Sequence, residues 1–468
     1  MSGAGMCGPG YAAVADVPVL LEKYPIGQGF LARYVGMSRD ELRALQDQQF
    51  RRLMVRGWQI PFYQRLWGGQ GLEAGDIAGL DDIVRLPVFD KSDLMASLTA
   101  YPPFGDYHGM TGGLGQGGQR GPVVLQTTSG TTGKPQLLLF GPRGREVGNL
   151  LVARMALWQG LADGDVVHSV YGHGMINGGH YIREAFTHFT NSIFISAGTG
   201  LETRSAVQVR MMAEFGATVA VGFIDYIRKL ADVARAEGLV PGEDIRLRMI
   251  MGHLGTEDRR GLEEAWGGAK AFDWYGLGDT GCIAAEGPER DGLYVWEDAQ
   301  FVEILDAGGN IVAEGGAGDL VVTCLYKDDV APCIRFNTHD VSAFRTGLGP
   351  HGLPMRRICG FLGRSDNMIK FKGISIYPQA IGGLLGGMAE LTGEYVCHVR
   401  RDVAGYDRMA ITLEHREPAT DPTRYVDLFR QGLGVELEVR LVAPGTTSDL
   451  TQLDHRQKPI RLIDERDA

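Results

Sequence analysis

Thr127-Thr128-Ser129-Gly130-Thr131-Thr132-Gly133-Lys134-Pro135 follows the apolar run Val123-Val124-Leu125, so a strand candidate delivers the chain directly into a loop of hydroxyls and glycines closed by a lysine. Glycines let backbone amides crowd around a phosphate, hydroxyls donate further hydrogen bonds, and lysine adds a point charge. By composition this is a phosphate-handling loop, and its chemistry suggests a nucleotide. Whether Lys134 binds phosphate or orients the loop is left open by the residues alone.

Downstream, Gly144 to Trp158 reads as a helix, and Asp165 to Val170 as a buried strand ending at the turn Tyr171-Gly172-His173-Gly174. Val207 to Phe215, the strand Thr218 to Val221, the helix Tyr226 to Glu237 and the strand Leu247 to Ile250 repeat the rhythm. Strands alternating with helices at this spacing predict an α/β body with ligands at strand ends. Upstream, Leu42, Leu45, Phe50, Leu53 and Trp58 place one or two amphipathic helices between Ser38 and Tyr63, with Pro61-Phe62-Tyr63 as their end. After Gly292 shorter strands, Phe301 to Leu305 and Asp319 to Thr323, predict an antiparallel subdomain. The glycine-containing passage Gly360 to Asp366 marks a boundary: a large body over 1–365 and a small α+β domain over 366–468. Within the latter, Glu394 to Val399, Met409 to Leu413 and Val435 to Val442 read as strands and Pro422 to Gly432 as a helix, while Asp454 to Arg461 reads as an exposed cationic tail.

The 468 residues carry a formal charge of -11, which argues against a nucleic-acid surface, since that is bound through concentrated positive charge. No apolar run reaches the roughly 20 residues that cross a bilayer, and no basic head precedes one. A soluble cytoplasmic protein without membrane contacts is the expectation. Six scattered cysteines without a C-x-x-C pair signal neither a disulfide framework nor a zinc knuckle. The 68 glycines, roughly twice the usual share, imply many tight turns and backbone-lined sites.

Together with the loop at Thr127, the motifs Tyr275-Gly276-Leu277-Gly278-Asp279-Thr280-Gly281, Phe336-Asn337-Thr338-His339-Asp340 and Gly363-Arg364-Ser365-Asp366 resemble the adenylate-forming superfamily, and within it the phenylacetate-coenzyme A ligase family. The resemblance runs from Gln59 to Asp464, and four ordered motifs are far more specific than any one. It implies a large adenylation body with a small mobile C-terminal domain. It also implies activation of a small-molecule aromatic carboxylic acid by ATP through an acyl-AMP, then transfer to the thiol of coenzyme A.

By the same resemblance, Thr127, Thr128, Ser129, Gly130, Thr131, Thr132, Gly133 and Lys134 hold the β- and γ-phosphates, Tyr275 lines the adenine site, Asp340 holds the ribose hydroxyls, and Arg364 lies near the nucleotide. Asp279 falls at the magnesium ligand, Asp366 at the hinge, and Lys458 at the near-terminal lysine that favours the adenylation transition state. Lys370 or Lys372 would meet coenzyme A phosphates. The departures concern the acid: Tyr171-Gly172-His173-Gly174 replaces a more aromatic segment, and Gly252-His253-Leu254-Gly255 replaces a stretch containing glutamate. His173 and His180 can offer hydrogen bonds to a hydroxylated or amino-substituted ring, and His253 alters the adenine and carboxylate contacts.

No side-chain nucleophile is needed, which agrees with the lack of a Ser-His-Asp constellation or a G-x-S-x-G elbow. Two alternatives share these residues. One is an adenylating enzyme that loads a carrier protein or an amine; the other is a degenerate nucleotide-binding interaction protein. A homodimer accords with the resemblance, although no interface is visible in the residues.

Overall fold

The computed structural model describes residues 10–109, 122–128, 135–255, 257–365, 369–371, 374–402, 407–452 and 459–466. Its centre is an eight-stranded mixed sheet in the order Arg357–Ile358, Leu293–Val295, Gly281–Glu286, Lys270–Leu277, Met249–Gly252, Val219–Val221, Val166–Ser169 and Ile193–Ser196. The last five run parallel, and their fully apolar stretches at Val219–Val221 and Met249–Met251 are those of strands covered on both faces. The other three extend the sheet antiparallel from Gly281 onward, ahead of the separate antiparallel strands that the sequence predicts after Gly292.

Helix Pro142–Gln159 runs through the interior, with proline in its first turn and Gly160 in the left-handed conformation (φ 109°) at its end. Nearly all of its residues are buried because the N-terminal helices Tyr11–Ala15, Val17–Lys23 and Gly27–Tyr34 cover one side and helix Asn177–Phe189 another. Helix Arg39–Gly57 opens with a reciprocal capping box between Ser38 and Glu41. Pro61 does not end this region: it occupies the first turn of a second helix, Pro61–Gly68, where its missing N–H costs nothing.

One charged pair ties these layers together. Arg154, on the central helix, makes two 2.8 Å hydrogen bonds to Asp298, and both side chains are fully buried. Tyr34 donates to the same carboxylate at 2.9 Å, Gln49 donates to the Asp298 carbonyl at 2.7 Å, and Arg154 Nε donates to the Pro25 carbonyl at 2.9 Å. The guanidinium also lies 4.7 Å from the Phe30 ring centroid. Every polar group of the pair thus has a partner, the condition under which a buried ion pair is tolerated.

A four-stranded antiparallel sheet, Gln300–Leu305, Ala317–Cys324, Phe336–Ala343 and Gly363–Arg364, stands beside the large one. The C-terminal segment has a separate core built on Ile369, Phe371, Tyr395, Cys397, Ile411, Tyr425 and Phe429. Its sheet orders Glu438–Val442, Asp407–His415, Leu391–Arg401 and Leu462–Asp464, with helix Thr423–Leu433 packed near. Arg461, read from sequence as part of an exposed tail, is instead buried on Glu394 at 2.8 Å. The large α/β body with a smaller C-terminal α+β unit is therefore as the sequence predicts. Among the described residues no helix is long and apolar enough to cross a membrane.

Removing one member of the Arg154–Asp298 pair strands the other in the interior. Asp298→Ala is expected to lower stability by about 3–5 kcal/mol, read from urea denaturation of the two proteins.

Candidate active site

The turns that follow the parallel strands at their carboxyl ends all lie on one edge of the large sheet, the edge at which open α/β sheets bind ligands. Tyr171-Gly172-His173 follows Val166–Ser169, Gly222 follows Val219–Val221, His253 follows Met249–Gly252, and Gly278-Asp279 follows Lys270–Leu277. Gly222 has φ 153°, and a Cβ there would stand 2.2 Å from Val170 Cγ2, so the adjacent turns approach this closely only because the residue is glycine.

Strands Val124–Thr127 and Leu137–Phe140 pair as an antiparallel hairpin whose connection is the hydroxyl- and glycine-rich loop. Ser129, Gly130, Thr131, Thr132, Gly133 and Lys134 lie outside the described residues; the base of their loop does not. The Thr127 N–H donates to the Met175 carbonyl at 2.7 Å, the Thr128 N–H to the Gln136 carbonyl at 3.1 Å, and the Gln136 side-chain amide to Asp279 Oδ1. Thr127 is therefore tied to the turn after Tyr171, and Gln136 to the residue beyond the end of strand Lys270–Leu277.

Three residues from distant motifs meet at the junction of the two sheets. The Tyr275 hydroxyl donates to Asp340 Oδ2 at 2.7 Å, and Arg364 Nη1 donates to Asp340 Oδ1 at 2.8 Å. Asp340 and Arg364 are directly opposed across strands Phe336–Ala343 and Gly363–Arg364, which places their side chains on one face. Burial, reinforced by the Asp340 charge, holds the Tyr275 hydroxyl far above its ordinary pKa, so it stays a donor. Each carboxylate oxygen of Asp340 thus retains a lone pair for a further hydroxyl.

Around this cluster the structure adds residues that the sequence reading did not single out. His339, in the left-handed region at φ 57°, sets Nε2 2.8 Å from Asp90 Oδ2 and Nδ1 3.3 Å from Ser365 Oγ. Lys327 donates to the Asp279 main-chain carbonyl at 2.6 Å, and the Tyr326 hydroxyl donates to the Thr280 carbonyl at 3.0 Å. The signal for His339 was its place immediately before Asp340; Lys327 and Tyr326 carry no motif.

The histidines divide by partner. His253 Nδ1 lies 3.3 Å from the Trp274 carbonyl, so that nitrogen carries the proton, and its ring packs edge-on to Phe361 at 5.5 Å and 6.1 Å from Tyr275. His253 thus belongs to the Tyr275 neighbourhood. His173 and His180 stand edge to face at 5.7 Å; His180 Nε2 donates to the Gly174 carbonyl at 2.8 Å. His173 Nε2 is buried without a hydrogen-bond partner among the described residues, and loss of solvent, together with the neighbouring His180, pulls its pKa down, so the ring is neutral. Tyr171 is buried against Phe223 at 4.7 Å. The Asp366, Lys372 and Lys458 positions and the Lys370 side chain lie outside the described residues.

Asp279 is the residue to test for magnesium. Burial pushes its carboxyl pKa up, with Lys327 and the Gln136 amide opposing. One amide donor leaves the carboxylate with open acceptor capacity, and a cation would reverse the cost of its burial. A single carboxylate suits magnesium, which commonly takes one or two protein carboxylates plus phosphate oxygens and waters. Among the described residues no group of three or more His, Cys, Asp or Glu side chains gathers to hold a metal independently of a ligand.

Residues 373–466 match the family model described as AMP-binding enzyme C-terminal domain. Phenylacetate-coenzyme A ligase of Pseudomonas putida is 29% identical over 430 residues, 87% of this chain and 92% of that protein. The Thermus thermophilus enzyme of the same name is 28% identical over 439 residues, 91% and 89% of the two chains. The chain belongs to the adenylate-forming acyl-CoA ligase superfamily. Among solved structures, 2-hydroxyisobutyryl-CoA ligase in its postadenylation state with an acyl-AMP superposes with a TM-score of 0.81, at 24% identity and covering 93% of this chain and 92% of that one. The same ligase in its thioesterification state covers an equal 93% of this chain and 92% of that one at 26% identity, yet its TM-score is 0.65. Coverage is equal in the two, and the superposition on the first is the better one.

Tyr275→Phe removes one donor from the Asp340 carboxylate while leaving the ring in place. Loss of a hydrogen bond to a charged group, about 1.5–3 kcal/mol, is expected to raise the Kd for ATP roughly tenfold or more, measured by calorimetric titration.

Proposed function

We propose that this ligase activates an aromatic carboxylic acid with ATP, forming an acyl-AMP and pyrophosphate, and passes the acyl group to coenzyme A. The observation that carries the reading is the meeting of Tyr275, Asp340 and Arg364 on the strand-end edge where the base of the Thr127 loop joins Asp279. The superfamily supplies the chemistry. The sequence similarity to phenylacetate-coenzyme A ligases over most of the chain supports the aromatic substrate.

Displacing hydroxide from a carboxylate is unfavourable, and ATP converts that oxygen into an AMP leaving group. A carboxylate oxygen attacks the α-phosphorus; the new P–O bond forms as the bond to the β-phosphate bridge breaks, and pyrophosphate leaves. The loop amides and hydroxyls, with Lys134, hold the β- and γ-phosphates. Asp340, aimed by Tyr275 and Arg364, accepts from the ribose hydroxyls, and Tyr275 with His253 flanks the base. Asp279 would hold magnesium, which when bound offsets phosphate charge and orients its oxygens. Lys458 stabilises negative charge shared between carboxylate and α-phosphate in the transition state, and positioning of two mutually repelling anions supplies much of the rate. In the second half-reaction the coenzyme A sulfur attacks the acyl carbon and AMP leaves, with Lys370 or Lys372 meeting the coenzyme A phosphates. On this reading residues 1–365 are the adenylation body and 366–468 a domain that turns about Asp366.

A second reading of the acid comes from His173. Its unpartnered Nε2, beside His180 and Tyr171, suits a hydroxyl or amine on the substrate, and the ligase that gives the TM-score of 0.81 carries a hydroxy acid. A hydroxylated aliphatic acid is therefore the competitor to an aryl acid.

Acid-dependent ATP–pyrophosphate exchange across phenylacetate, benzoate, hydroxybenzoates, aminobenzoates and 2-hydroxyisobutyrate decides between them, with product mass read with and without coenzyme A. Exchange with an aryl acid plus a coenzyme A adduct is expected. Exchange without that adduct would transfer the acceptor role to a carrier protein or amine, and exchange with the aliphatic acid alone would establish the second reading. Lys458→Ala is expected to lower exchange by about 100-fold or more, while thioester formation from synthetic acyl-AMP stays near the wild-type rate.

A further inference from the structure

The C-terminal unit meets the body at Asp258. This residue opens helix Arg259–Ala265: Oδ1 accepts the Gly261 N–H at 3.0 Å as an N-cap, while Oδ2 accepts the N–H of Gly387, from the other unit, at 2.9 Å. The two oxygens thus serve different partners. The approach is close because the opposing residues lack side chains: a Cβ on Gly386 would stand 3.1 Å from Asp258 Cβ, and Gly387 has φ 76°.

Charged groups from both sides surround this contact. Glu257 lies 4.0 Å from Arg228 on the body, is influenced by Asp225, and faces Glu394 and Arg461 of the C-terminal unit. Arg461 forks onto Glu394 at 2.8 and 3.2 Å, donates to the Tyr395 carbonyl at 2.9 Å and stacks 4.4 Å from the Tyr395 ring centroid, so its position is fixed. Asp225, Glu257, Asp258 and Glu394 gather here with Arg228 and Arg461, and Arg260 lies within electrostatic reach of Asp258. Arg461 stands three residues after Lys458 in the chain. Tyr377 of the C-terminal unit also packs against Gly363 of the body, so the contact at Asp258 joins a carboxylate hydrogen bond and an acid-rich cluster to that apolar approach.

We propose that Asp258 and Glu257 are positioning residues for acyl-AMP formation: through Gly387 and the Glu394–Arg461 pair they hold the C-terminal unit in the arrangement of the first half-reaction, and their release permits the second. The inference rests on the two-step reading above and on the better superposition on the postadenylation state of a relative. Loss of solvent, then the like charge of Asp225, pushes the Glu257 carboxyl up to about 8, although a third of its side chain stays exposed. Asp225 and Arg228 act on Glu257 from the body whether or not the C-terminal unit is docked, so docking takes up a proton through the part of the burial that the C-terminal unit supplies. Docking is most favourable in acid, weakens as pH rises through the interval up to about 8, and is level above it.

Asp258→Asn separates the roles, because its single amide oxygen still caps Gly261 while the amide nitrogen offers no acceptor to Gly387. In full-length protein carrying a donor dye at exposed Val240 and an acceptor at exposed Glu417, energy transfer is expected to show a smaller docked fraction in D258N at an unchanged melting temperature. Acid-dependent pyrophosphate exchange is expected to fall by about tenfold, as for a lost hydrogen bond to a charged group, with thioester formation from synthetic acyl-AMP unchanged or faster. Glu257→Gln is expected to abolish the fall in docked fraction between about pH 5 and 8. An unchanged docked fraction in D258N, equal loss in both half-reactions, or a wild-type pH slope in E257Q would overturn the proposal. Absence of exchange with every acid in the wild type would overturn the two-step reading instead, and energy transfer would still decide the positional claim.

Discussion

The carboxylate of Asp340 is the constraint on which the site depends. It is buried at the seam of two sheets and draws one donor from each: Tyr275 from the large sheet and Arg364 from the small one. A buried charge is tolerated only when paired and hydrogen-bonded, so both sheets must present their donors together. The register follows from that requirement. Asp340 opposes Arg364, and a slip of one residue in that pairing would carry Arg364 to the far face. The ladder shift between Tyr275 and Gly276 re-aims the strand end at the same point, and Asp279 follows three residues later.

Support for that strand end reaches back into the N-terminal helices. Gln300 donates to the Thr280 carbonyl at 2.9 Å, and Asp298, two residues earlier, is gripped by Arg154 and Tyr34. The main-chain carbonyls of Asp279 and Thr280 are thereby pinned by Lys327, Tyr326 and Gln300. Such pinning fixes Asp279 through its backbone, and its carboxylate meets the Gln136 amide. The apolar packing around the central helix is thus continuous with the positioning of the site.

What was legible in the sequence was local. The strand entering the Thr127 loop, the parallel strand rhythm and the motif residues at strand ends could be read because each signal occupies a few consecutive residues. The joining of Tyr275, Asp340 and Arg364 could not, since those residues are 65 and 24 positions apart and only register brings them together. Pro61 was misread because proline ends one helix and begins another with equal ease. Arg461 was placed on a tail because a cation in a polar stretch reads as solvated, whereas its partner Glu394 lies 67 residues away. Lys327 and Asp258 carry no pattern: one acts on a backbone carbonyl and the other on the N–H of a distant glycine, and neither partner type leaves a mark in sequence.

Two carboxylates, Asp340 within the four-stranded sheet and Asp279 just beyond strand Lys270–Leu277 of the large one, have different surroundings. Asp340 accepts from two strong donors, Tyr275 and Arg364. Asp279 has one neutral amide donor, while Lys327 directs its hydrogen bond to the main-chain carbonyl, and burial pushes the Asp279 carboxyl toward the protonated form. Positive charge arriving at that point would lower the Asp279 pKa and stabilise the anion. The site is therefore prepared asymmetrically. Asp340 has its donors in place on folding, and the Asp279 carboxylate keeps open acceptor capacity. That division follows from which strand ends have arginine and tyrosine within reach and which have only glutamine.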